Sequence, residues 1–115
     1  MIEKTVLDYL NALSDAPAPA LMEVPEGGIT PPCWIIERTG GGTLEGHVGT
    51  ATLAIQSYGA TLYAAAALNE RLKTAMKEMP ALDDVASVRL NSDYNYTDTT
   101  KRLYRYQAVF DVIHY

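Results

Sequence analysis

Cysteine occurs once in these 115 residues, at Cys33, and tryptophan and phenylalanine also occur once each. A single cysteine rules out an internal disulfide, and with it the stapled frameworks of small secreted proteins, so a reducing cytosol is the expected compartment. Histidine appears only as His47 and His114, far apart in the chain, and Cys33 has no CxxC partner. A metal centre needs several ligands at matched spacing, so no metal is expected. No uncharged apolar run approaches the roughly 18 residues that would suggest a membrane span. The opening MIEKTVLDYLNAL interleaves charges with apolar residues and lacks the unbroken apolar core of a signal peptide.

Basic residues are scarce in the first half. Residues 1–60 carry two, Lys4 and Arg38, against seven acidic side chains, whereas residues 61–115 carry seven of each, which leaves a net charge of −5. That balance disfavours attachment to phosphate backbones or anionic membranes, both of which need clustered Lys and Arg. The only basic cluster, Lys101, Arg102 and Arg105, reads as a solvated turn. Neither nucleic-acid nor membrane binding is expected.

Catalytic motifs are missing as well. The run Gly40-Gly41-Gly42-Thr43-Leu44-Glu45-Gly46 is followed by His47 and Val48, where a phosphate-binding loop needs Lys and then Ser or Thr. It also fails the dinucleotide fingerprint, whose third glycine would fall at Glu45. Asp93 to Asp98 alternates oxygen-bearing residues like a calcium loop, but Asp98 stands where the turn requires glycine and Tyr104 where a bidentate glutamate belongs. A polar hairpin turn closed by Asp, Asn and Thr side chains fits better. Ser14, Ser57, Ser87 and Ser92 have no nucleophile elbow, and Asp83 and Asp84 follow a proline where solvent is the expected neighbour. No catalytic activity and no cofactor are expected.

What the chain does contain is regular patterning over the length of one domain, 1–115. Ile2, Val6, Tyr9, Leu10 and Leu13 recur at helical spacing, which predicts an amphipathic helix over 2–13, ended by Ser14, Asp15, Ala16 and Pro17. Leu21–Val24, between Pro19 and Pro25, suits a short edge strand. Cys33–Thr39 and Val48–Tyr58 have strand composition, with Gly40, Gly41 and Gly42 as a flexible tip between them, either a surface loop or a mobile arm that orders against a partner.

Thr61 caps a predicted helix that runs to Met79 and stops at Pro80. Its buried stripe is Ala64, Leu68, Leu72, Ala75 and Met79, with Asn69, Glu70, Lys73 and Lys77 outward. Val85–Tyr96 and Leu103–Tyr115 form a second hairpin, so that the chain ends inside a strand. Ala86, Val88, Leu90 and Tyr94 share one face of its first strand, and Tyr106, Ala108, Phe110 and Val112 one face of its second. The expected architecture is α+β: an antiparallel sheet of four or five strands with two helices packed against it, in the order α-(β)-β-β-α-β-β. Tyr94, Tyr96, Tyr104 and Tyr106 cluster near the last turn, either to pair across strands or to offer flat amphipathic area to a neighbouring subunit.

Three stretches together, IEKTVLDYLNAL, ATLAIQSYGATLYAAAALNERLKTAM and VRLNSDYNYTDTTKRLYRYQAVFDVIHY, give the chain a texture and element order that resemble the small tail-terminator or tail-completion proteins of long-tailed bacteriophages and prophages. The resemblance implies an α+β subunit that assembles as a six-membered ring in the neck of the virion, after time in the host cytoplasm. One ring face would meet the major tail tube protein and the other the head-tail connector protein. It brings no catalytic residues. Alternatives are another head-tail joining or minor tail protein, or a small α+β ligand-binding domain or enzyme. Ring closure requires head-to-tail contacts between unlike surfaces, and sheet edges provide them. The candidate interface residues are Gly40, Gly41, Gly42, Thr43, Glu45 and His47 in the first hairpin, and Thr97, Asp98 and Lys101 at the tip of the second.

Overall fold

The computed structural model describes residues 1–15 and 17–115; Ala16, within the connection predicted after the first helix, lies outside the described residues. Helix α1 spans Ile2–Asn11, two residues shorter at its end than the apolar spacing suggests. Ile2, Val6 and Leu10 are buried, one per turn, and Tyr9 and Leu13 pack beside them. Burial of each such aliphatic side chain contributes roughly 1.5–3 kcal/mol, which anchors a helix too short to persist alone. Asn11 clasps the backbone of Ala20 from both sides, its Nδ2 donating to the carbonyl at 3.2 Å and its Oδ1 accepting from the N–H at 2.9 Å. That clasp places the edge strand β1, which is Ala20–Leu21 alone rather than Leu21–Val24.

Strands β2 (Cys33–Glu45), β3 (Val48–Gly59), β4 (Val85–Asn95) and β5 (Tyr104–His114) complete a five-stranded sheet in the order β1-β2-β3-β5-β4. Every neighbouring pair is antiparallel except β1 with β2. Helix α2 (Leu62–Glu78) crosses from β3 to β4, with Thr61 Oγ1 accepting from the Ala64 N–H at 3.0 Å as its N-cap, and a short 3-10 turn at Met79–Ala81 carries Pro80. The fold is α+β, with both helices on one face of the sheet.

The main core lies between that face and the helices. Trp34 and Ile36 from β2, Ala51, Leu53 and Ile55 from β3, and Ala108, Phe110 and Val112 from β5 meet Leu68, Leu72, Ala75 and Met76 of α2. The buried Trp34 donates its indole N–H to Ser57 Oγ at 3.0 Å, so its one polar group is satisfied inside the core. Tyr9 ties the helices together by donating to the Ala75 carbonyl at 2.6 Å; burial, followed by the nearby Glu78 charge, pushes its phenol above the usual value. Both faces of β2 are apolar near its start: Cys33 and Ile35 point the other way, into a smaller cluster with Tyr58. Burial raises the Cys33 thiol above its ordinary pKa.

Three expectations change. The triplet Gly40, Gly41 and Gly42 is neither loop nor mobile arm but strand, paired with Thr52, Ala51 and Thr50. The hairpin turns over only Gly46 and His47, with Gly46 at φ +55°, and glycine at the first place of a two-residue turn suits that conformation. In the second hairpin, irregularities between Val85 and Ser87 and between Leu90 and Ser92 add a residue each. The first makes Val85, not Ala86, the core residue; the second turns Tyr94 away from the face of Val88 and Leu90, so that its hydroxyl meets Gln107 on the opposite side. On α2, Asn69 is buried rather than outward, and Ala65 rather than Ala64 is fully covered.

Candidate assembly surfaces

The outer half of β2, Glu37–Glu45, is exposed at every residue. Only β1 pairs with the outer side of β2, and only at Trp34 and Ile35, so among the described residues the backbone beyond has no further strand. Arg38 braces this segment: Nε donates to the Gly40 carbonyl at 3.1 Å and Nη1 lies 3.5 Å from Glu3 on α1. Gly41, at φ +151°, lies so close to the Arg38 guanidinium and the Thr50 carbonyl that a side-chain carbon would collide with both. Glycine is required there for packing, not for mobility.

At the end of this hairpin, His47 and His114 border one hollow, which no local pattern foretold. Both line a hollow of about 280 Å³ with Arg38, Thr43 and Gly49, and the His47 ring stands 6.3 Å from that of Tyr115. The cause is β-pairing: Gly49 lies opposite His114, and a side-chain carbon at Gly49 would press on the imidazole at 2.9 Å. Among the described residues, no group of three or more His, Cys, Asp or Glu is placed to hold a metal ion.

Thr97, Asp98 and Lys101 lie at the opposite end of the sheet, where β5 begins beside Gly59. The structure therefore separates the two sets of candidate interface residues. Thr97 and Asp98 are engaged within their own turn: the Thr97 hydroxyl meets Asn95 Oδ1 at 2.6 Å, and Asp98 Oδ1 accepts from the N–H groups of Thr100 and Lys101, each at 3.1 Å. Of the three, only Lys101 is exposed, and Thr97 and Asp98 are half-buried. Arg105, counted with the basic cluster, is held in an aromatic clamp instead. It lies 4.5 Å from the Tyr96 ring centroid and 5.7 Å from that of Tyr58, and it donates to the Tyr58 hydroxyl at 2.9 Å.

Beyond the Cys33, Ile35 and Tyr58 cluster, the face of the sheet away from the helices carries a polar network across β3, β5 and β4. Asp111 on β5 gathers Asn91 at 3.0 Å and Arg89 at 3.3 Å from β4, and Thr52 at 3.1 Å from β3. The hydrogen bond from Asn91, outweighing partial burial and helped by Thr52 and Arg89, holds this carboxyl below its usual range. Tyr94 and Tyr96 stand here edge to face, with centroids 5.8 Å apart. Tyr106 faces the helix side and lines a shallow hollow of about 460 Å³ with Tyr63, Ala66, Asn69 and Asp93. The tyrosines thus serve both faces.

A third hollow has no counterpart in any linear pattern of the sequence. Between α2 and the free edge strand β4, Val88, Leu90 and Phe110 form an apolar floor of about 330 Å³, rimmed by Lys73, Lys77 and Arg89. Leu90 remains 43% exposed, unusual for a leucine on the helix side of a sheet. Burial alone would lower the Lys73 ammonium, but hydrogen bonds to Asp93 and Glu70, each at 3.0 Å, hold its pKa above the usual value. The spacing of Lys73 and Lys77, four apart on α2, was a visible signal; its meaning depended on β4 lying alongside. No protein-family model and no curated protein sequence matches the chain.

Proposed function

We propose that this chain is a structural subunit, with no catalytic role, that joins copies of itself into a ring capping the tail tube of a long-tailed bacteriophage or prophage and linking it to the head connector. The observation that carries the reading is the pair of unlike open edges on opposite flanks of one sheet, the outer half of β2 and the whole of β4. Surfaces that differ in this way favour head-to-tail contact, which closes into a ring when the rotation between neighbours is right. Each edge offers unpaired backbone groups to a neighbour. An acidic subunit also suits a channel through which DNA slides without adhering. Family texture over the three stretches named above supplies the phage assignment and the expected six copies.

The test is to add the purified protein to growing tubes of the major tail tube protein. Tubes should stop lengthening and show a ring at one end in negative-stain images. Tubes that grow unchanged in the presence of excess protein would overturn the reading.

A further inference from the structure

Resting on the self-assembling reading above, we propose that the outer half of β2 from one copy docks along β4 of the next, with Leu44 seated in the apolar groove between α2 and β4 and Glu45 facing Lys77 and Arg89. Three observations converge. First, Leu44 is 58% exposed, while the groove leaves the floor of Val88, Leu90 and Phe110 open and has the volume to receive an aliphatic side chain. Second, the charges are complementary: the outer half of β2 begins at Glu37 and ends at Glu45, and its one cation, Arg38, is turned to Glu3, whereas the groove is rimmed by three cations. Of these, Lys73 is occupied by Asp93 and Glu70, and Arg89 lies 3.3 Å from Asp111 with its side chain 80% exposed, so Lys77, which has no ion pair among the described residues, is the first group to meet an incoming carboxylate and Arg89 the second.

Third, the regular stretches match. Irregularities on β2 fall between Arg38 and Gly40 and between Thr43 and Glu45, leaving Gly40–Thr43 in even register. On β4 they leave Ser87–Leu90, the stretch that borders the groove. Bulges normally protect an edge strand from indiscriminate pairing, and here each edge keeps one short regular window. Three glycines in one window present bare backbone, and Val88, Arg89 and Leu90 in the other present bulk, so the two can approach without side-chain conflict. The contact joins two different surfaces, so a joined pair keeps one free groove on one copy and one free β2 on the other for further neighbours.

Sedimentation of the purified full chain without tube protein tests this, using a Leu44→Asp variant and a Lys77→Glu/Arg89→Glu variant, both folded by circular dichroism. The wild type should gain mass with concentration and lose it as salt is raised, since exposed charge pairs are screened. Each variant alone should remain monomeric, weakening association by about tenfold or more. Their mixture should form a dimer and nothing larger, because one retains the groove and the other retains Leu44. A wild type that stays monomeric throughout, variants that associate like the wild type, or a mixture that stays monomeric would each overturn the proposal. Tube capping by those variants at the wild-type level would remove the tail-terminator reading's dependence on this contact, whereas self-association without any capping would leave the contact standing and remove the reading.

Discussion

The two hairpins of this molecule carry opposite signals and have each exchanged the expected behaviour. The first contains three consecutive glycines and invites a description as a loose tip, yet it keeps pairing as far as Glu45 and Val48 and reverses in two residues. The second alternates apolar and polar residues cleanly, yet two irregularities interrupt β4, and an eight-residue polar connection, 96–103, joins it to β5. Composition describes what a backbone permits. Whether a segment is ordered depends on the strand beside it, and β3 is held on its other side by β5 almost to the end of the first hairpin.

The comparison breaks first in the core. Trp34→Ala in the first hairpin and Phe110→Ala in the second should each cost about 3–5 kcal/mol, because both side chains are essentially fully buried against the same helices. Chemical denaturation should give losses of similar size. A loss confined to Phe110→Ala would mean that the first hairpin is not integral to the core.

A smaller effect separates strand from loop within the glycine triplet. Gly41→Ala should destabilise by about 1–3 kcal/mol, since the new carbon meets the Arg38 guanidinium and the Thr50 carbonyl at a backbone conformation that alanine resists. Gly42→Ala, whose carbon would meet only Thr50 Oγ1 at 3.8 Å, should change stability by no more than about 0.5–1 kcal/mol, in the stabilising direction. Thermal melts of the pair decide the matter, because a flexible tip would tolerate both alike.

The smallest effect lies where the hairpins meet. Asp111 accepts from both sides, from Thr52 in the first hairpin and from Asn91 and Arg89 in the second. Its carboxyl is lowered on folding, so the associated stability is complete above the unfolded value of about 3.9 and disappears as pH falls through the still lower folded value. Melting temperature should fall on acidification through that window, and Asp111→Asn should flatten this part of the profile. An unchanged acid profile in the variant would show that the two hairpins are not linked through this carboxylate.

Helix α2 was legible because its determinants are close together in sequence: Thr61 caps, Leu68, Leu72 and Ala75 recur at helical spacing, and Pro80 follows the end. Strand β5 was legible for the same reason, since Ala108, Phe110 and Val112 alternate without interruption. The polar turn at 96–103 was recognisable from Asn95, Thr97 and Asp98, which bond the nearby backbone as such residues do. Asn69 misled because a polar residue beside Glu70 reads as solvent-facing, although it lies on the side of α2 that meets the sheet. Of the candidate interface residues, Gly40 to Glu45 lie on an open edge that their glycine content did not suggest, Thr97 and Asp98 are committed within their own turn, and the groove of Val88, Leu90 and Phe110 gave no linear sign.

Periodicity and capping thus settled both helices and strands β3, β4 and β5, though not the glycine-rich half of β2 or the bounds of β1, because spacing along the chain places side chains on faces before anything else is packed. The parallel pairing of β1, the insertion of β5 between β3 and β4, the hollow that His47 and His114 both line and the basic groove beside β4 depended on partners distant in the chain. Pairing between remote strands selects among many compatible registers, and a one-residue bulge reverses which face a side chain occupies, so only the assembled sheet could resolve them.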